Sequence, residues 1–235
     1  MIVQGSFHQG NEKFGETAGL QCTCCSLFSI AFTLVKSPGY WDTKDLDFII
    51  ENGDKTYKSV IVLRYLMILE LPQQIQLFES KIVHVELKTN KFGFLDFESI
   101  SGFILDRNVS SESDGLLLLL KGLCMSVVWT KRNYFLFDSH SKNDKGEFSP
   151  NGYSVLLKFS SIMALESHLI SNYLFEGDKN VQFEVQYVKI HNMNEFDFSG
   201  VYCYSKERNR KAAEVEKKGF SRKKCNYNKQ RERSI

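Results

Sequence analysis

Helical patterns come first in this chain and β-forming runs come later, and that order constrains the fold more than any other feature. Leu27, Phe28, Ala31, Leu34 and Val35 recur at helical spacing until Ser37-Pro38-Gly39 stops them, which predicts a largely buried helix over residues 21–36 with Cys22 in its first turn. Asp42 or Thr43 is suited to cap a second helix through Glu51, with Asn52-Gly53 as its stop. A third helix is expected over 56–67. Residues 74–78 and 82–87 read as strands, and Ser113 or Asp114 as the cap of a short helix carrying the run Leu116 to Leu120. Further on, the β-formers of 124–129, the polar turn Lys131-Arg132-Asn133 and the run 134–138 predict a hairpin. A polar loop is expected over 141–152, then a strand over 153–159. Ser160 or Ser161 caps a helix bearing Ile162, Leu165, Leu169 and Tyr173 on one face. Val181, Phe183, Val185 and Tyr187 alternate with polar residues as a half-exposed strand. Helices early and a sheet later make an α+β chain.

The 235 residues suffice for one substantial core. Charge is unevenly distributed: the last 30 residues carry 12 Lys or Arg against 4 Asp or Glu, and the preceding 205 are acidic at about −6. Residues 1–205 are therefore read as the folded domain and 206–235 as a basic tail. The plainer reading of that tail is a solvated extension, within which 212–218 can form a helix. Nucleic-acid contact or a nuclear import signal is the alternative. The N-terminus lacks a basic region followed by an apolar stretch, and the leucine run is too short to cross a bilayer. The expectation is a soluble intracellular protein of the cytoplasm, with the nucleus admitted through the tail, and no membrane contact.

Six cysteines, at 22, 24, 25, 124, 203 and 225, show no disulfide framework. Cys22, Cys24 and Cys25 suggest a metal site, but structural zinc needs a second ligand pair and the other cysteines are single. No metal or other cofactor is expected.

The remaining chemistry is that of a thiol. A thiolate is favoured by the positive end of a helix and by a neighbouring imidazolium. Cys22 has the first by position; the second must come from one of five histidines. His84, His168 and His191 read as surface or packing residues. His140 differs, because Asp138 lies two residues earlier in Tyr134-Phe135-Leu136-Phe137-Asp138-Ser139-His140. In an extended strand i and i+2 share a face about 6.6 Å apart, so the carboxylate can orient the ring while Phe135 and Phe137 anchor the other face. Asp-x-His is also common in ordinary loops. An oxyanion donor is available in Gln9 or Gln21, each equally readable as plain polarity.

The strings Phe7-His8-Gln9-Gly10, Thr17-Ala18-Gly19-Leu20-Gln21-Cys22-Thr23-Cys24 and Phe137-Asp138-Ser139-His140-Ser141 resemble the deubiquitinase domain of the herpesvirus large tegument protein. They are closer still to its non-viral relatives in transposon-derived proteins. Gly152 to Phe159 is similar to the strand after the histidine loop, and the resemblance spans residues 5–190. It implies a papain-like cysteine peptidase that releases ubiquitin from proteins or from polyubiquitin chains. Under it Cys22 is the nucleophile, His140 the general base, Asp138 its orienting carboxylate and Gln9 the oxyanion donor. Cys25 stands where many relatives carry Asn, outside the implied catalytic set. The competing readings are a cysteine protease for another ubiquitin-like modifier or a polyprotein, and an inactive ubiquitin-binding module. For any ubiquitin protease the Arg-Leu-Arg-Gly-Gly terminus implies a cleft narrow enough for glycine. The loop after His140 is a gate or a plain connection.

Overall fold

The first helix, α1 (Cys22–Phe32), is buried on every side, and the rest of the fold is arranged around it. The computed structural model describes residues 2–60, 63–79, 81–95, 112–174 and 181–192; the expected tail over 206–235, with its helical portion, lies outside them. A helix without a wet face must satisfy its polar side chains internally. Ser26 Oγ donates to Cys124 O (3.1 Å), Ser29 Oγ meets Ser126 Oγ (2.5 Å), and Thr23 Oγ1 donates to Leu66 O (3.2 Å). The predicted end at 36 is too late: beyond Phe32 the backbone passes into tight turns, with Thr33 and Leu34 N–H bonding three residues back.

On one side α1 packs against α2 (Thr43–Lys58). Asp42 caps this helix as expected, accepting from Lys44 and Asp45 N–H while Asp45 accepts from Asp42 N–H. The expected stop at Asn52-Gly53 is overrun. A Cβ on Gly53 would lie 2.6 Å from Cys25 Cα, so this glycine permits helix contact and does not end the helix. The third predicted helix is absent. Its first residues complete α2, and the described residues beyond Lys58 form no further helix before a single 3-10 turn, Ile68–Glu70.

The sheet has eight strands: β1 (Ile2–Gln4), β2 (Gln74–Phe78), β3 (Lys81–Leu95), β4 (Gly115–Leu120), β5 (Leu123–Trp129), β6 (Tyr134–Lys142), β7 (Tyr153–Phe159) and β8 (Val181–Asn192). Their order is β1-β7-β6-β5-β4-β8-β3-β2, every pair antiparallel. The leucine run expected as a helix is therefore β4. It lies between β5 and β8 with Leu117 in the core beneath α1 and Leu116, Leu118 and Leu120 in the opposite core. A strand buried on both faces has no polar alternation to distinguish it from a buried helix. Asp114, expected as a cap, instead accepts from Ile190 N–H (2.7 Å) and Lys189 Nζ (2.9 Å) of β8.

The predicted hairpin is β5–β6, and β7 matches its predicted span. The half-exposed strand is longer than expected and is central, so Gln186, read as solvent-facing, is buried and donates to Lys88 O across a bulge in β3. The last helix, α3 (Ile162–Tyr173), is capped by Ser161 and buries Leu165, Leu169 and Tyr173 on the face of the sheet opposite α1. Among the described residues no helix is long and apolar enough to cross a membrane.

Candidate functional site

Cys22 is the first residue of α1, 3% exposed, with its sulfur at the positive end of the helix. His140 enters from β6. The β6–β7 ladder is regular to Asp138↔Val155 and resumes only at Lys142↔Tyr153. Two extra residues are thus accommodated on β6, and the bulge re-aims the side chain it carries. This corrects the flat extended geometry expected for Asp138 and His140. Asp138 Oδ1 accepts both His140 N–H (2.9 Å) and the ring at Nδ1 (2.6 Å). The carboxylate therefore fixes backbone and imidazole together.

The other imidazole nitrogen is left for the sulfur, and the Cys22 thiol and the His140 ring are close enough for each charge to shift the other group's pKa. Burial opposes the thiolate, but His140 and the N–H of Cys124 outweigh it, and the Cys22 pKa falls. Burial likewise opposes the imidazolium, yet Asp138 and Cys22 raise the His140 pKa to about 10. Each charge stabilises the other, so the pairing favours the thiolate and the imidazolium together. Cys24 is the contrast: burial and the neighbouring Cys22 charge push it up to about 12. Cys25 and Cys124 are likewise raised well above the usual thiol range, chiefly by complete burial. Of the four described thiols only Cys22 is activated.

The structure separates the two candidate glutamines. Gln9 is tied by its backbone to both halves of the site, since its N–H donates to Ser139 O (2.9 Å) and its carbonyl accepts from Gly19 N–H (3.1 Å). Gln21 donates its side-chain Nε2 to that same carbonyl (3.0 Å), so its amide is already engaged as a brace. Gln9 has no side-chain hydrogen bond among the described residues, so its amide N–H groups are uncommitted; the buried Oε1 atoms of both glutamines lack a partner.

Sequence reasoning misses three neighbours. Asp138 Oδ2 accepts from the Tyr173 hydroxyl of α3 and lies 3.2 Å from Lys142 Nζ. His8 faces the site closely enough for the His140 charge to add to burial in lowering its pKa. Lys142 carries a signal as a lysine directly after the motif and His8 as a member of Phe7-His8-Gln9-Gly10, whereas the pairing with Tyr173 spans 35 residues. Burial alone would protonate Asp138, but His140, Lys142 and Tyr173 together hold it well below the usual carboxylate range. His84 and His191 sit together on β3 and β8, where His191 Nε2 meets Glu86 (2.9 Å), and His168 packs on Phe159. No three His, Cys, Asp or Glu side chains among the described residues are gathered to hold a metal.

A buried helix headed by a cysteine, packed on an antiparallel sheet that presents a histidine to it, defines an α+β protein of the papain-like fold. Residues 4–194 match the family described as herpesvirus tegument protein, N-terminal conserved region, and the chain belongs to that family. Among solved structures it is similar to the ubiquitin-specific protease encoded by the murine cytomegalovirus tegument protein M48, in complex with a ubiquitin-based suicide substrate. The TM-score is 0.65 at 14% identity, covering 82% of this chain and 87% of that one. No curated protein matches the chain.

Proposed function

We propose that this protein is a cysteine-type deubiquitinase that hydrolyses the bond after the C-terminal Gly-Gly of ubiquitin. The observation that carries the reading is a thiol at the head of a buried helix, its pKa lowered by the His140 ring that Asp138 Oδ1 holds at 2.6 Å. The family and the M48 neighbour support ubiquitin as substrate.

In this reading the Cys22 thiolate attacks the glycine carbonyl. The oxyanion is received by the Gln9 amide and the Cys22 N–H, donors that act on charge present only in the transition state. His140 then gives its proton to the departing lysine amine, leaving a thioester on Cys22. A water deprotonated by His140 attacks the thioester, and the ubiquitin carboxylate leaves as the thiol recovers its proton. Asp138 keeps the ring in one tautomer throughout.

Reaction with ubiquitin bearing a C-terminal electrophile, followed by peptide mapping, tests the assignment, and modification of Cys22 is the expected result. Cys22→Ala is expected to bind ubiquitin and release no fluorophore from C-terminally labelled ubiquitin; full turnover by that variant overturns the proposal. Parallel probes built on other ubiquitin-like modifiers separate ubiquitin from its homologues as substrate.

A further inference from the structure

Lys142 is a lysine with no exposed surface, buried two residues beyond His140. Its Nζ lies 3.2 Å from Asp138 Oδ2, the carboxylate oxygen that His140 does not use. Above it are two rings, Phe148 with its centroid 3.3 Å from Nζ and Tyr173 at 4.1 Å, packed edge to face with each other. The chain after Lys142 closes onto its backbone: Phe148 bridges to it, and a Cβ on Gly152 would lie 2.4 Å from its N and O. Among the described residues Asp138 is its only ionic partner. A buried ammonium is costly unless paired, and the fold surrounds this one with a carboxylate and two π faces.

We propose that Lys142 is a positioning residue of this site, the fixed counter-charge that holds the outer oxygen of Asp138 and keeps its inner oxygen on His140 after the imidazole has given up its proton. The proposal rests on the deubiquitinase reading for its place in the cycle. With Cys22 as thiolate and His140 as imidazolium, Asp138 is already balanced by the ring. Once the thioester has formed and the lysine amine has taken the proton, His140 is neutral and Asp138 retains a charge in a dry site. Lys142 supplies the balancing cation in that half of the cycle, so its effect on turnover is largest in deacylation; in the resting enzyme it acts on the thiol only as a nearby positive charge. The other groups around it are Glu147 on the loop and His168 on α3; the Lys142 charge adds to burial in lowering the His168 pKa.

The test uses the full chain with Lys142→Met, which keeps the length and removes the charge, and Phe148→Ala, which removes the half-exposed outer ring and admits water. Two readouts are taken. The first, pH-dependent alkylation of Cys22 by iodoacetamide, needs no turnover. Loss of a nearby cation makes the site more negative, so the rise in alkylation moves to higher pH, by about 1 unit in Lys142→Met and by less in Phe148→Ala. The second is turnover of labelled ubiquitin: kcat falls about tenfold or more with KM unchanged or lower, and acyl-enzyme accumulates. In an Asp138→Asn background Lys142→Met has no further effect on kcat. An unmoved alkylation profile in folded Phe148→Ala and Lys142→Met, or equal losses in both Asp138 backgrounds, overturns the proposal. If Lys142→Met does not fold, the Phe148→Ala profile decides alone. An inactive wild type whose alkylation profile still shifts would refute the deubiquitinase reading and leave the Lys142 assignment standing.

Discussion

Asp138 shows how much one buried residue can organise. It accepts from the His140 backbone, the His140 ring and the Tyr173 hydroxyl, and it faces Lys142. Asp138→Asn keeps the shape and replaces one acceptor oxygen by a donor, so the ring loses its tautomer and its counter-charge. We expect kcat to fall by ~10²–10⁴. The pH profile gives a second expectation. The lowered Cys22 pKa sets the acid limb, and the imidazolium needed to protonate the amine persists until pH passes about 10. Activity rises as pH climbs through the first value and falls through the second. Removing the Asp138 charge lowers the His140 pKa, so the alkaline limb of Asp138→Asn moves to lower pH; a limb that stays in place removes Asp138 from its role. Gln9→Ala is expected to lower kcat by about 10²–10³ with little change in KM. Gln21→Ala acts only through the Gln9 carbonyl and costs less, and steady-state kinetics on the two variants separates donor from brace.

At the scale of elements, what is legible in the sequence divides along physical lines. Elements with a local signal are readable: the alternating strand β2, the β-forming runs of β5, β6 and β7 set off by polar turns, and the Asp42 and Ser161 caps. Burial on both sides removes the periodicity on which the reading depends, and it misleads where neither turn residues nor β-branched composition replace it. The leucine run is β4 and not a helix, and Gln186 faces inward on a strand expected to be half wet. Gly53 misleads for a related reason: a stop signal and a close helix approach call for the same residue, and only the neighbouring Cys25 tells them apart. Gly53→Ala should therefore destabilise the fold although alanine favours helix. We expect about 1–3 kcal/mol from forcing α1 and α2 apart, measured by denaturant unfolding; an unchanged or raised midpoint contradicts this packing.

Across the whole molecule the site bridges two cores. Cys22 belongs to the core on the α1 face of the sheet, and Tyr173, which holds Asp138, to the core on the opposite face. The reactive thiol thus exists only while both layers are assembled. Iodoacetamide at neutral pH should label Cys22 in the native protein and spare Cys24, Cys25 and Cys124. As denaturant rises, the fast Cys22 reaction should vanish, and the three buried thiols become reactive, at the midpoint seen by circular dichroism. Separate midpoints would mean that the site opens independently of the fold.

The sequence alone determined which groups were available: a cysteine at a helix start, an aspartate two residues before a histidine, and the capped helices and β-forming runs around them. Those are local properties, expressed within a few residues along the chain. Tertiary structure decided which groups meet. It chose Gln9 over Gln21 as the uncommitted amide, replaced a flat strand by a bulge that turns His140 toward the sulfur, and brought Tyr173 and Lys142 onto Asp138. Hydrogen bonds between distant segments depend on packing, and packing has no signature at any one position.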